Sequence, residues 1–179
     1  MVSAQRLAIR HVAAIVVTAV LAGAFVCGTA RAEMKPVSYA DSSGRTAFKA
    51  VKPGSERLVS VREIEAIGLK ELVTRSPWES GDHRYAGVLL RDVLTYLEMD
   101  DAVRVAIVAT DNYVQVIPRE DWTKWPVLLA TRESDALLAR RSKGPTRVVY
   151  PISSHPELDS AVYKGRWIWL IESISAEYK

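Results

Sequence analysis

In Val103-Arg104-Val105-Ala106-Ile107-Val108-Ala109-Thr110-Asp111-Asn112-Tyr113-Val114-Gln115-Val116-Ile117, Val103, Val105, Ile107 and Ala109 alternate with Arg104, Ala106, Val108 and Thr110. After the Asp111-Asn112 interruption, Tyr113 to Ile117 runs on in β-favouring residues. A period of two puts alternate side chains on opposite faces of a strand, and an Asp-Asn pair suits the tight turn between two such strands. The stretch therefore predicts a β-hairpin, ended by Pro118.

Outward from the hairpin, Val127 to Thr131 and Arg147 to Tyr150 read as short buried strands, and Trp167 to Ile174 as a last, longer one. In the other direction, Leu90 to Leu97 has helical spacing and Leu69 to Arg75 looks extended. Ser60-Val61-Arg62-Glu63 is a capping box before Ile64 and Ile67, with Gly68 as a stop, and marks a short helix. Residues 33–57 are polar and small, with turn signals at Ser42-Ser43-Gly44 and Pro53-Gly54. They predict a loose entry segment with a short strand near Ala47 to Val51. Strands and short helices intersperse without a βαβ rhythm, which predicts one mixed α+β domain over residues 58–179.

The N-terminus addresses compartment. Arg6, Arg10 and His11 precede an uncharged run from Val12 to Val26, and Ala30-Arg31-Ala32 follows with small residues where a signal peptidase reads. That order predicts a cleaved signal peptide over residues 1–32, leaving Glu33 to Lys179 as an exported domain. The apolar run is short of the about 20 residues a membrane span needs. Val26 before Cys27 argues against lipidation, and the basic region lacks the paired arginines of a twin-arginine signal. The whole chain has 24 Lys+Arg against 21 Asp+Glu; without Arg6, Arg10 and Arg31 the count is 21 against 21. The apparent basicity is then a targeting feature, and a nucleic-acid footprint is not supported. Cys27 is the one cysteine, so residues 33–179 hold no disulfide, thiolate nucleophile or thiolate metal ligand.

Common catalytic patterns are missing: there is no Gly-x-Ser-x-Gly, no phosphate-cradling glycine loop and no His-Glu-x-x-His. His83 and His155 are far apart and read as surface or hydrogen-bonding residues, not ligands. Ser153, His155 and Asp159 are too close in sequence for triad geometry. Aromatics beside turns stand out. Trp78 lies in Ser76-Pro77-Trp78-Glu79-Ser80-Gly81, a loop by composition, next to Asp82, His83 and Arg84, where an indole can stack on a flat heterocycle. Trp122 and Trp125 follow the hairpin, and Trp167 and Trp169, two apart on the expected strand, face one side; core packing is the default for all four. In Lys143-Gly144-Pro145-Thr146-Arg147, Gly144 permits close backbone approach, and Arg147 with Lys164 and Arg166 suits an anionic or carbonyl-rich group.

Five segments, in order, resemble the sulfite-oxidase-like molybdopterin-binding domain. Tyr85-Ala86-Gly87-Val88-Leu89-Leu90-Arg91-Asp92-Val93-Leu94 resembles its aromatic-x-Gly-Val-x-Leu-x-Asp-Leu-Leu segment, and Asp111-Asn112-Tyr113 its Asp-Gly-Tyr. Leu128-Leu129-Ala130 resembles its Leu-Leu-Ala strand, Lys143 to Pro151 its Gly-Gly-Pro-x-Arg-Leu-Val-Val-Pro, and Arg166-Trp167 with Ile171 its closing Lys-Trp-Leu-x-x-Ile. The resemblance covers most of residues 58–178. Its catalytic members carry a molybdenum-binding cysteine upstream of the Tyr85 segment, where Leu69 to Trp78 has none, and Thr74 or Ser76 cannot replace a soft thiolate.

The resemblance is closest to small exported cysteine-less members. It implies a periplasmic protein that binds a molybdenum-free pterin and regulates a membrane-bound cyclic di-GMP enzyme through that partner's extracytoplasmic part, without catalysis of its own. Carried over by motif, the pterin-binding residues are Trp78, Asp111, Tyr113, Arg147 and Arg166. Two alternatives stay open: a molybdopterin-dependent oxidoreductase or its subunit, and a protein-interaction domain with a degenerate pocket.

Overall fold

The computed structural model describes residues 34–179. The expected signal peptide lies outside the described residues. In chain order the elements are β1 (Lys35–Pro36), β2 (Thr46–Lys52), β3 (Ser55–Ser60), α1 (Val61–Gly68), β4 (Lys70–Arg75), β5 (Asp82–Leu89) and α2 (Leu90–Tyr96). Then come β6 (Arg104–Ala109), β7 (Val114–Pro118), α3 (Arg119–Lys124), β8 (Leu128–Glu133), β9 (Ala136–Leu137), β10 (Arg147–Val149), α4 (Ala161–Arg166) and β11 (Ile171–Glu177). The domain is mixed α+β, as the interspersed pattern predicts.

Two sheets organise it. The first runs β1-β4-β5-β8-β10, with β9 added to β8, and its pairs are antiparallel. The second runs β3-β2-β11-β6-β7, antiparallel except where β11 lies parallel to β2. Helix α1 packs on β5 and β3, and α2 on β5 and β8. The core they share holds Phe48, Ile64, Leu72, Leu90, Leu94, Ile107 and Ile174.

The local signals work as physics requires. Ser60 caps α1: its hydroxyl accepts from the Glu63 N–H at 3.2 Å, and Glu63 Oε2 accepts from the Ser60 N–H at 2.8 Å. That bond, with further ones from Arg57 and the Ser60 hydroxyl, holds the Glu63 carboxyl below the usual carboxylate range. The hairpin of β6 and β7 pairs Val105 with Ile117 and Ile107 with Gln115, and Asn112 takes the left-handed backbone at its turn.

Two expectations are corrected. The short strand expected near Ala47 to Val51 is β2, but the segment over residues 33–57 is not loose: β2 sits between β3 and β11, with Ala47, Phe48 and Ala50 buried, so the domain reaches back past residue 58. Upstream of β2, Asp41 and Ser42 are tied down by the buried Arg132–Glu65 pair. Arg132 Nε donates to Glu65 at 2.8 Å, its Nη1 donates to Asp41 at 3.1 Å, and the Ser42 hydroxyl donates to Glu65 at 2.7 Å. The last strand does not begin at Trp167. It starts at Ile171, because Leu170 adopts a φ of 52° that breaks an extended run. The helices α3 and α4 and the strand β5 stand where the sequence pattern carried no element assignment.

Two glycines meet main chain too closely for a side chain: Gly144 against Leu138, and Gly87 beside a bulge in the β5–β8 pairing. A Cβ at Gly87 would lie 2.2 Å from the Leu129 carbonyl oxygen and 2.6 Å from Ala130 Cα, both main-chain atoms that cannot step aside. Gly87→Ala should therefore lower stability in urea denaturation by about 2 kcal/mol or more through overpacking. Gly44→Ala, where nothing lies within 4 Å, should not. Ser60→Ala should cost about 1 kcal/mol by loss of the cap, read in the same denaturation series.

Candidate functional site

The β4–β5 hairpin ends in the connection 76–81, which carries Trp78 out to 47% exposure. It faces the β6–β7 turn and the link between α4 and β11. Between them lies a cleft of about 410 Å³. Trp78, Tyr113, Trp167 and Trp169 form its aromatic walls, with Asp111 and Lys164 as its charged lining. Trp78 meets Trp169 edge to face at 5.0 Å between centroids and 85°, and Trp167 at 6.0 Å and 75°. Such arrangements are favoured by the ring quadrupoles and leave flat surface for a further ring.

Each wall is positioned by a specific device. Asp111 Oδ1 accepts from the Tyr113 N–H at 3.1 Å, closing the turn that aims Tyr113 at the cleft. The Tyr113 hydroxyl donates to the Gly165 carbonyl at 3.2 Å and accepts from Gln115 Nε2 at 2.7 Å. Trp167 and Trp169 do not share a strand face as expected. Trp167 caps α4 and is buried, whereas half-buried Trp169 makes a single bridge to Arg147.

Behind Trp167 lies a second, buried set of groups. The Arg147 guanidinium is 4.8 Å from the Tyr85 ring centroid and 5.8 Å from that of Trp167. Glu133 approaches Arg147 Nη1 at 3.7 Å and pairs with His83 Nδ1 at 3.0 Å. The His83 ring stacks near Tyr85 at 6.0 Å and 14°. Burial pushes the Tyr85 phenol well above its ordinary value, against the opposing pull of Arg147. Among the described residues, five buried polar atoms of this set lack a hydrogen-bond partner, Arg147 Nε and Nη2, Tyr85 OH, Trp167 Nε1 and His83 Nε2, as does Thr146 Oγ1 on the residue before Arg147. An unsatisfied buried polar atom costs about 1–3 kcal/mol, so folding alone does not account for this collection. Arg147 Nε and Nη2 form one edge of the guanidinium, the fork that grips two acceptors at once.

The structure thus brings Trp78, Asp111 and Tyr113 into one cleft and sets Arg147 directly behind it. Arg166 stands apart. Its Nη1 donates to Asp121 Oδ2 at 2.7 Å, and the same oxygen accepts from the Tyr150 hydroxyl at 2.7 Å. Arg166 lies over Tyr163 and ties α4 to α3 without lining the cleft. Core packing, the expected default, holds for Trp167, whereas Trp169 is half-buried and lines the cleft with it; the pattern gives no role to Tyr85, Glu133 or Thr146. Gly165 between two cations, in Lys164-Gly165-Arg166-Trp167, was the signal for the aromatic pair. No local signal marks Glu133.

Other candidates resolve into structural roles. Ser153 Oγ accepts from the Arg75 N–H at 2.9 Å and donates to Asp82 at 3.3 Å. His155 faces Glu157 at 3.5 Å and Asp159 pairs with Lys164 at 2.9 Å, so these three form no relay. The Thr74 hydroxyl accepts from the Ser153 N–H at 3.1 Å, and Ser76 Oγ accepts from the Trp78 N–H at 3.3 Å. Glu79, His83 and Glu133 offer ligand atoms within 4.8 Å of one another. Lys143 on Glu79 at 2.9 Å and Arg147 beside Glu133 oppose a further cation, so the group works as an ion-pair network.

The fold is similar to that in the crystal structure of the sulfane dehydrogenase SoxCD from Paracoccus pantotrophus, with a TM-score of 0.56 at 12% identity. The likeness covers 77% of this chain but 39% of that one. None of the curated proteins compared matches the chain. A family model described as the oxidoreductase molybdopterin binding domain matches residues 57–172, from β3 into β11 and across every wall of the cleft. By that match, the chain belongs to the oxidoreductase molybdopterin binding domain family.

Proposed function

We propose that this chain is a periplasmic protein that binds a molybdenum-free pterin and thereby regulates a membrane-bound cyclic di-GMP signalling enzyme, without catalysis of its own. The observation that carries the binding half is an aromatic cleft backed by Arg147, a buried guanidinium with one edge unpaired. A pterin is flat, and its pyrimidine edge both donates and accepts hydrogen bonds. Trp78 and Tyr113 offer stacking faces, Asp111 an acceptor for the amino edge, and Arg147 with the Tyr85 hydroxyl and Trp167 N–H donors for a carbonyl and ring nitrogens. The orphaned atoms are mostly donors, which suits a group rich in acceptors.

The sequence contributes the rest. The one cysteine is Cys27, far upstream of the cleft segments, and the Thr74 and Ser76 hydroxyls are already engaged. The periplasmic location rests on the N-terminal pattern of residues 1–32, and the signalling partner rests on the resemblance to small exported members of the family. Binding is transmitted when it orders groups that the partner touches. The rival reading is a molybdopterin-dependent oxidoreductase or subunit, favoured by the family to which the chain belongs.

Purification from the periplasm, followed by fluorescence, mass spectrometry and metal analysis of the released small molecule, separates the two. A fluorescent pterin with substoichiometric molybdenum supports the regulator, and stoichiometric molybdenum supports the oxidoreductase. A stable domain that releases nothing and rejects added pterins sinks both. Trp78→Ala should weaken pterin binding about two- to tenfold, the range one aromatic contact supplies. Arg147→Met should abolish detectable retention while leaving the ligand-free midpoint in urea unchanged or raised, because it removes a buried charge whose donors are half unused.

A further inference from the structure

We propose that the connection 76–81 is a lid over the aromatic cleft and that the Glu79–Lys143 ion pair is its latch; this rests on reading the cleft as a ligand site. The lid is held by side chains. Among the described residues, the 76–81 main chain makes no hydrogen bond to the body of the domain, and the Trp78 N–H turns inward to Ser76 Oγ within the loop. Side-chain contacts pin it: Trp78 leans edge to face on Trp169 and Trp167, Glu79 Oε1 accepts from Lys143 Nζ at 2.9 Å, and Glu79 Oε2 lies 3.9 Å from His83 Nδ1.

Lys143 stands beside Trp169, a wall of the cleft, without lining it. It sits in the left-handed region with a φ of 62°, its N–H donates to the Arg140 carbonyl at 3.2 Å, and its carbonyl accepts from the Leu170 N–H at 3.4 Å. Its ammonium lies 5.1 Å from the Trp169 ring centroid. The bond from Lys143 holds the Glu79 carboxyl below its usual range, so the carboxylate stays ionised at neutral pH. One lysine therefore joins the lid to the indole that the ligand ring would meet. A ring sliding between Trp78 and Trp169 must replace their edge-to-face contact, and Gly81, at a φ of 86°, is the pivot at the foot of the lid. The lysine stem can follow that movement with the ion pair intact, so the latch governs how long the ligand stays. Glu79 and Lys143 are both partly solvent-exposed, so salt weakens the latch.

The test uses the ligand-free protein first. In ¹⁵N relaxation, the Trp78 indole N–H should be rigid in the wild type and fall to an order parameter below about 0.6 in Glu79→Gln and in Lys143→Met. The double variant should show no further drop. Lys49→Met, which removes an ion pair on the second sheet, should change nothing. Release of neopterin, followed by stopped-flow fluorescence, should then accelerate about two- to fivefold in each single variant, the range for an exposed ion pair, and equally in the double. Raised salt should speed release from the wild type and not from the variants. An unchanged Trp78 order parameter, or single effects that add in the double variant, overturns the latch. If Trp78 loosens as expected but neopterin does not bind, the latch stands and the pterin reading falls.

Discussion

The whole arrangement depends on how closely β5 and β8 approach at Gly87, where main chain meets main chain with no space for a methyl group. From that contact β5 continues into α2, whose first N–H donates to the Val127 carbonyl just before β8. In the other direction it carries Tyr85 and His83 beneath the cleft and the hairpin tip with Trp78 above it. β8 in turn supplies Glu133 to His83 and Arg147, and presents Arg132 to Glu65. A shift of one strand against the other would therefore misplace an upper wall and a lower donor set together. Close packing of this kind passes displacements along the strands without absorbing them.

Two buried guanidinium groups show how the same residue serves fold and ligand differently. Arg132 spends its donors on Glu65, Asp41 and the Asp135 carbonyl and stacks over Tyr39 at 4.1 Å. It is a satisfied hub that fastens residues 39–42 to α1 and β8. Arg147 is as deeply buried, yet one whole edge is unused and its nearest carboxylate is 3.7 Å away. A buried charge is tolerated when paired and is costly otherwise. The contrast separates a structural arginine from one kept for recognition.

The hairpin of β6 and β7, the capped α1 and the strands at Leu128 and Arg147 were legible because each follows from local rules: alternation, a capping box, short apolar runs. The joining of Trp78, Asp111 and Tyr113 was legible only through motif resemblance, since they come from two different turns. Arg166 misled because its place in a motif says nothing of Asp121, 45 residues away, which claims it. The buried set of Tyr85, Glu133 and Thr146 was illegible, because orphaned atoms exist only once three strands converge. The short strand near Ala47 to Val51 was legible, but the role of residues 41–52 in the frame was hidden for a similar reason: polar, small composition around the strand reads as a loose entry, whereas Arg132 and the parallel partner β11 fasten it.

That parallel partner has a consequence for how the domain comes into being. β11 is the last strand among the described residues, yet it lies between β2, near their start, and β6. Until Ile171–Glu177 is in place, the second sheet is two separate hairpins, β2–β3 and β6–β7, with a gap one strand wide between them. Trp167 and Trp169 immediately precede that strand, so the cleft closes only as the final segment docks. Pairings of such long sequence separation are slow to form and leave unpaired edges exposed in the meantime. Before that docking the domain is a partly open sheet whose slot accepts its own Ile171–Glu177 or, at high concentration, the same strand from a neighbouring copy.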